Sequence, residues 1–327
     1  MTQNIFAGGT VITQHKMAKT QVQIAELSEQ LTIEEVLYRA EVTYWLAAAT
    51  KQYLSNAEAY YRVVKALFDV VDKRFDDGYV SKSDLLMVNT RLKEAELQWN
   101  SAKRAASVAF QNLNILMGTP VDKAIDVTDL IDTELDLPTY KTLDDVLSIR
   151  PEYLLVDKNI TKQKQYVSSV YAQYNPMIVG GIKAGWGTPM INLTGEPSFN
   201  STVYASFRFP LLEWGKRSYS ARAAKVEVNK LNMEKVRVTD QINSELSSSW
   251  VNLNDNYKQI IIANENLSIA AENMDLNTLR YNEGQLPILD VLSSQLSWIQ
   301  AFNNSVQAEY NYKVAYADYK KATGVMQ

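Results

Sequence analysis

The sequence predicts a mainly helical protein with a small β part, in which long antiparallel coiled-coil helices form two structural repeats. Three observations lead to this fold class. The 327 residues include only 12 glycines and 8 prolines, so few positions interrupt a helix. Apolar residues recur at intervals of three and four over long stretches, the spacing of a coiled-coil seam. The pentapeptide RFDDG at 74–78 returns as RYNEG at 280–284, 206 positions later.

The same 206-residue shift aligns far more of the chain than the pentapeptides. Without a gap it pairs Gly9 with Gly215 near the start and Gly118 with Gly324 near the end. A repeat of this length is a duplicated domain rather than a solenoid unit. The gapless register therefore predicts equal helix lengths in the two repeats.

Each repeat is predicted to contain one long helix, a hairpin tip and a shorter return helix. The first repeat covers residues 1–118 and the second covers residues 150–327, with a connecting segment at 119–149. Predicted helices cover residues 12–77, 82–117, 150–173, 216–283 and 288–322. At 1.5 Å per residue, the longest helices would reach roughly 100 Å.

Turn signals separate the long helices from the return helices. Gly78 and Gly284 are suited to end a helix, because glycine adopts a positive φ without steric cost. Ser81 and Asp84 have the spacing of a capping box, and Pro287 suits the first turn of a helix. These residues predict one tight helical hairpin in each repeat.

Two segments with alternating character, 175–187 and 201–212, predict β-strands joined by a polar loop at 188–200. A shorter segment at 3–9 predicts the end of another strand. The alternation places Lys183 and Arg208 opposite an apolar face. That apolar face is predicted to carry Ile178, Ile182, Ala184, Trp186, Val203, Ala205, Phe207 and Phe209. The alternation leaves two readings open: a soluble hairpin, or a transmembrane hairpin with lipid on the apolar face and a lumen on the other.

Composition excludes several classes of function. The chain has no cysteine and a single histidine, His15, so thiolate metal sites, disulfides and most zinc or catalytic-triad chemistry are not expected. Neither a phosphate-binding GxxxxGK motif nor a dinucleotide-binding GxGxxG motif occurs. The net charge of −4 gives no indication of a nucleic-acid partner. We therefore expect no cofactor, no metal and no enzymatic activity.

In their order, these features resemble the TolC-like outer membrane efflux proteins of Gram-negative bacteria. The resemblance rests on the following segments: IFAGG before a long helix, the RFDDG and RYNEG turns with Asp84 and Asp290, the closing LMGTP and ATGV, and RPEYLLV from Arg150. It covers essentially the whole chain, although no single motif is specific. It implies a homotrimer whose protomers contribute helices to a long periplasmic α-barrel and strands to one β-barrel in the outer membrane.

The resemblance also implies a function. It is that of a passive duct in a tripartite efflux or type I secretion system, opened at its periplasmic helical tips. Its partners would be a periplasmic adaptor (membrane fusion) protein, an inner-membrane transporter and outer membrane lipid. The alternative is a soluble periplasmic coiled-coil adaptor or scaffold, which explains the helical periodicity but not the duplicated strands and hairpins.

Candidate site residues lie at the two tips. Asp84 and Asp290 each follow a tip by one helical turn, where an acid complements the helix dipole. The resemblance implies that threefold symmetry would turn each acid into a ring at the constriction, and that Tyr281 bonds Asp84. It further implies that the turns at Gly78 and Gly284 contact the adaptor.

The sequence departs from the family pattern at several points. Leu286 stands where some members have an arginine that closes the gate, and Ser293 stands where a second acid is found. A differently built or weaker gate is therefore expected. By the 206-residue shift, the counterparts of residues 150–206 would precede Met1. We therefore expect this chain to be a family member that lacks its signal sequence, first helix and first strand.

Overall fold

Helices dominate the structure, a computed structural model that describes residues 1–128, 137–188 and 195–326. In chain order the elements are β1 (Thr2–Ala7), α1 (Thr10–Asp76), α2 (Lys82–Leu116), α3 (Leu143–Leu147), α4 (Pro151–Ala172), β2 (Met177–Gly187), β3 (Ser198–Arg208), α5 (Lys216–Asn282) and α6 (Ile288–Ala322). Within these ranges no helix is long and apolar enough to cross a membrane. The predicted combination of long helices and a small β part is confirmed.

Helix lengths follow the repeat. Helices α1 and α5 each contain 67 residues, and α2 and α6 each contain 35. Equal helix lengths, as the gapless shift predicts, are therefore confirmed. The structure adds the five-residue helix α3, which is too short to show a helical period in the sequence. Its start is stabilised by Asp145, whose carboxylate accepts hydrogen bonds from the amide and hydroxyl of Thr142.

Both long helices end in the same geometry. Gly78 has a φ of 79°, its amide donates to the carbonyl of Phe75 at 2.9 Å, and the amide of Tyr79 donates to the carbonyl of Arg74 at 2.7 Å. This pair of bonds is the Schellman motif. Gly284, with a φ of 76°, ends α5 with the same two bonds shifted along the chain. An added Cβ would meet nothing within 4 Å at either glycine, so the positive φ, and not space, requires glycine.

The chain divides into two compact units. The first comprises residues 1–32 and 147–243, and the second comprises residues 33–146 and 244–327. The first contains the sheet, α4 and the adjoining segments of α1 and α5. The second contains both hairpin tips and most of the connecting segment.

The sheet in the first unit is antiparallel, with strand order β1–β2–β3. Strands β2 and β3 pair from Met177 opposite Arg208 to Gly187 opposite Ser198. The shorter β1 pairs with the first half of β2. Alternating residues of β2 and β3 therefore share faces, as the period-two pattern predicts.

The boundaries of the second predicted strand, 201–212, were wrong. It starts earlier, at Ser198, and ends at Arg208, so Phe209 lies just beyond the strand on which it was placed. Pro210 follows, and because proline has no N–H the ladder cannot continue through it. Of the loop predicted at 188–200, residues 189–194 lie outside the described residues, and the last three residues belong to β3.

In the first unit, α4 packs against the adjoining parts of α1 and α5. Val170 of α4 forms a small buried cluster with Ala221 and Ala224 of α5. The amide of Gln165 on α4 donates to the hydroxyl of Thr20 on α1 at 2.9 Å. These contacts fix three helix segments beside the sheet.

In the second unit, the connecting segment is held against the helices. Lys51 of α1 donates to the carboxylate of Asp126 at 2.5 Å, and this bond lowers the pKa of that carboxyl. Tyr319 of α6 donates to the carbonyl of Thr139 at 3.0 Å. Residues 129–136 of this segment lie outside the described ranges.

Substitution of the turn glycines tests the requirement for a positive φ. We expect Gly78→Ala and Gly284→Ala each to lower the free energy of unfolding by about 1 kcal/mol, because alanine is strained in the left-handed region. Asparagine tolerates this region, so Gly78→Asn should lose less than Gly78→Ala. Denaturant unfolding followed by circular dichroism measures both. If Gly78→Ala and Gly78→Asn lower the free energy of unfolding equally, the positive φ is not the reason that glycine is required.

Candidate functional site

The two hairpin tips meet in one hydrophobic cluster, which we call the tip cluster. Its buried members are Leu67, Val71, Val88, Tyr281, Ile288, Val291 and Leu292, with Phe68, Val80 and Leu85 packed against them. The members from α1 and α2 belong to the first tip, and those from α5 and α6 belong to the second. Their spacing of three and four residues puts them on one face of each helix. The tips are therefore joined by apolar packing within a single chain.

Arg74 adds a polar link between the tips. Its guanidinium lies 4.9 Å from the ring centroid of Tyr281. It also donates to the backbone carbonyls of Tyr281, at 3.5 Å, and Asn282, at 3.2 Å. These carbonyls belong to the last turn of α5, where a cation complements the helix dipole. The sequence did not lead us to predict this link between the tips. The one signal for it was that the arginine at position 74 recurs in the second pentapeptide.

Asp84 stabilises the start of α2. Its carboxylate accepts hydrogen bonds from the amide of Ser81 at 3.2 Å and from the hydroxyl of Ser81 at 2.8 Å. In return the amide of Asp84 donates to the Ser81 hydroxyl. The predicted capping box is confirmed. Tyr281 is 6% exposed in the tip cluster, and within the described residues no hydrogen bond joins it to Asp84.

Asp290 has a simpler environment than Asp84. It lies in the first turn of α6 and is exposed. Pro287, predicted in the first helical turn, is the N-cap of α6 and offers no side-chain hydrogen bond. Among the described residues the carboxylate of Asp290 has no hydrogen-bond partner. Its local contribution is limited to the interaction with the helix dipole.

One face of the sheet is apolar and exposed. Its large side chains are Ile5, Phe6, Ile178, Ile182, Trp186, Phe199, Val203 and Phe207. Trp186 is 77% exposed and Phe207 is 68% exposed. A register shift between Asn4 and Phe6 brings Ile5 to this face as well, where its Cδ1 lies 3.0 Å from the Cβ position of Gly180. The predicted apolar face of β2 and β3 is confirmed.

The opposite face is mixed in character and holds the only charged side chains of the three strands, Lys183 and Arg208. The ring of Tyr204 lies over Gly181, where an added Cβ would come within 2.4 Å of it. The Lys183 ammonium lies 5.5 Å from the centroid of that ring. Glycine at 181 thus allows the ring to lie flat on the sheet beside the lysine.

The family comparison agrees with this geometry. Residues 143–325, more than half of the chain, match the family model described as "Outer membrane efflux protein". The chain belongs to the outer membrane efflux protein family. The family predicted from the order of the motifs is therefore confirmed. A search of curated protein sequences gives no significant match.

Solved structures show the fold of this outer membrane efflux protein. The chain is similar to the CmeC outer membrane channel of Campylobacter jejuni, with 19% identity, a TM-score of 0.81, and coverage of 99% of this chain and 69% of that one. It is also similar to the outer membrane protein VceC of Vibrio cholerae, with 14% identity, a TM-score of 0.80, and coverage of 99% of this chain and 78% of that one. A third similar structure is the open state of the Neisseria gonorrhoeae MtrE outer membrane channel, with 16% identity, a TM-score of 0.80, and coverage of 97% of this chain and 72% of that one. The fold is that of outer membrane channels.

The two tip acids of this efflux protein are expected to differ in their effect on stability. Asp84→Ala should lower the free energy of unfolding by about 1 kcal/mol, because it removes the capping box. Asp290→Ala should cost about 0.3 kcal/mol, through the helix dipole alone. Ser81→Ala serves as a control that should match Asp84→Ala. Denaturant unfolding measures all three, and equal effects of the two acids would contradict the assignment.

Proposed function

We propose that this protein is the outer membrane channel of a tripartite efflux or type I secretion system. It works as a passive homotrimeric duct that opens at its periplasmic helical tips. Family membership supports an outer membrane efflux channel and favours it over a soluble periplasmic adaptor. The trimer, the partners and the opening mechanism are the finer parts of the proposal, and they rest on the sheet and the tips.

The observation that carries the proposal is the exposed apolar face of the sheet. In water, a contiguous apolar face that includes Trp186, Phe199 and Phe207 is unfavourable. A lipid bilayer is the solvent that fits it, because strands of about ten residues with one apolar and one polar face are typical of membrane barrels. In that environment the apolar face lies against lipid, and Lys183 and Arg208 face the lumen.

The edges of the sheet support assembly from several copies. In the described part of the chain, β1 and β3 each pair on one side only. An open strand edge is not tolerated in the hydrocarbon region, since its backbone groups would lack hydrogen-bond partners. Strands from neighbouring copies would supply those partners and close the sheet.

Lipid contact is testable through Trp186, one of six tryptophans. In vesicles with brominated acyl chains, Trp186→Phe should remove a large share of the fluorescence quenching seen in the parent protein. The matched control is Trp99→Phe, because Trp99 stacks on Tyr61 in the helical part at 5.2 Å. That variant should leave the quenched component unchanged. If the two variants behave alike, the apolar face does not contact lipid.

The tips also support a ring of copies. Matching positions of the two tips differ in burial: Leu292 is 2% exposed, whereas its counterpart Leu86 is 55% exposed. Likewise Arg74 bonds the second tip, whereas its counterpart Arg280 is exposed and has no partner among the described residues. In a ring of alternating tips, Arg280 would reach the first tip of the next copy, near Phe75. The uncovered faces are thus where a second copy fits.

The seam between copies would be weaker than the contact within a copy. Leu67 and Val71, which face the second tip, have Asn273 and Asn277 as their counterparts. Amides in place of buried aliphatic side chains make a wetter contact with less apolar area. Separation of the tips is therefore expected to begin between copies rather than within one.

Symmetry gives the tip acids a role in that opening. In a trimer, Asp84 and Asp290 would each occur three times around the axis, and rings of carboxylates favour cations. The turns at Gly78 and Gly284 are exposed and have open space around them, which suits contact with an adaptor protein. Energy for transport would come from the inner-membrane transporter, since the chain carries no nucleotide-binding motif.

Single-channel conductance in planar bilayers tests the gate. We expect Arg280→Gln to raise the open probability by roughly tenfold, the effect of losing about 1.4 kcal/mol of closing interaction. Arg62→Gln is the control, because Arg62 forms an exposed ion pair with Glu58 within α1. It should leave the open probability unchanged. If Arg280→Gln leaves the open probability unchanged, the proposed contact of Arg280 with the next copy is contradicted. If neither the parent protein nor any variant conducts, the proposed channel function is contradicted.

A further inference from the structure

The small net charge conceals a strong segregation of charge along the chain. Residues 1–25 and 158–226 contain 11 of the 33 lysines and arginines but only 2 of the 37 acidic residues. These two segments supply all three strands, most of α4 and the first turns of α1 and α5. The sheet and the helix segments next to it are thus nearly free of carboxylates.

Three helices meet one end of the sheet. Ala7 pairs with Met177, and Met177 pairs with Arg208, so these three residues lie side by side at that end. Helix α1 begins 3 residues after Ala7, α5 begins 8 residues after Arg208, and α4 ends 5 residues before Met177. Cations on these helix segments therefore lie close to a single end of the sheet.

The exposed cations at this end form what we call the basic collar. Its members are Lys16, Lys19, Lys164, Lys216, Arg217, Arg222 and Lys225. Among the described residues none of them forms an ion pair. Arg217 and Lys225 lie 5.6 and 5.8 Å from the ring centroid of Tyr171, which holds both on one side of α4. Several exposed cations elsewhere in the chain, such as Arg62, pair with an acid one turn away.

The placement of these cations opposes a local preference of helices. The first turn of a helix favours acids, and α2, α4 and α6 carry Asp84, Glu152 and Asp290 there. Helices α1 and α5 have no acid in the first turn, and α5 begins with Lys216 and Arg217. The helix dipole disfavours cations at this position. Where a sequence departs from such a local preference, as at the start of α5, a functional requirement is the expected reason.

The order of residues along the chain identifies the partner. Phe207 lies on the apolar sheet face, Leu211 and Leu212 follow it exposed, and Trp214 is 92% exposed. Lys216 comes two residues later. Acyl chains, the interface where tryptophan is favoured, and the headgroup phosphates follow in the same order in one leaflet of a bilayer. This order fits a lipid headgroup better than a free anion.

We propose that the basic collar binds the headgroup phosphates of anionic phospholipids at the membrane surface beside this end of the sheet. The inference rests on the proposed membrane location. Charges act over a screening length of about 8 Å at physiological ionic strength, so Lys216 and Arg217, in the first turn of α5, contribute most. Cations several turns further along contribute less.

Energy transfer from tryptophan to labelled lipid tests the collar. The full chain is reconstituted in phosphatidylcholine vesicles that contain a trace of phosphatidylglycerol or phosphatidylcholine with the same acyl-chain acceptor. The parent protein should associate with the anionic lipid at least fivefold more strongly, the effect of one cation near the surface. K216Q/R217Q should abolish the preference, and 0.5 M salt should weaken it.

The matched control is K103Q/R104Q, which removes the same charge from adjacent exposed positions of α2 and should keep the preference. Equal transfer to both lipids in the parent protein would overturn the inference while membrane insertion stands. A preference that survives K216Q/R217Q would also overturn it. Transfer to neither lipid would contradict the proposed membrane location itself.

A last arm separates a lipid headgroup from a free anion. Inorganic phosphate is added at 20 mM and compared with chloride at equal ionic strength. A lipid-binding collar should show the same preference for phosphatidylglycerol in both solutions. Loss of the preference in phosphate alone would show a small-anion site and overturn the proposal.

Discussion

The rest of the structure depends on where the two long helices stop. Each residue added to an α-helix rotates its face by about 100°, so a tip displaced by one residue would turn its apolar side away from the other tip. The left-handed glycines at 78 and 284 fix these positions at the same point in each repeat. Because both stops are set alike, Val71 of one tip and Tyr281 of the other can share one cluster. Local backbone geometry at two glycines thus determines a tertiary contact.

Helices were predictable because their signals are local. Their predicted ends fall within two residues of the observed ones, since glycine, proline and capping residues mark them. The β part was less predictable. Alternation gave the correct faces, but the end of β3 is determined by Pro210 and its start by pairing with β2 rather than by its own composition. The division into repeats at 1–118 and 150–327 stays a prediction.

The candidate site was only partly visible in the sequence. The capping role of Asp84 follows from its short distance to Ser81 along the chain, which is a local pattern. The partner of Arg74 lies 208 positions away at Asn282, and no local pattern specifies it. The basic collar was missed for another reason. A net charge averages over the chain, and only the fold shows that the acid-poor segments gather at one end of the sheet.

In the proposed homotrimer, symmetry would change the scale of any substitution at the tips. In a homotrimer every tip residue is present three times, and a closed ring breaks all of its seams together. A loss of about 1 kcal/mol in each copy becomes about 3 kcal/mol for the ring, more than a hundredfold in the closing equilibrium. The contacts of Arg74 with the end of α5 are modest within one chain. In the proposed trimer, the matching contact of Arg280 with the next copy would occur three times around the axis, and contacts of this size would then be sufficient to set the threshold of the gate.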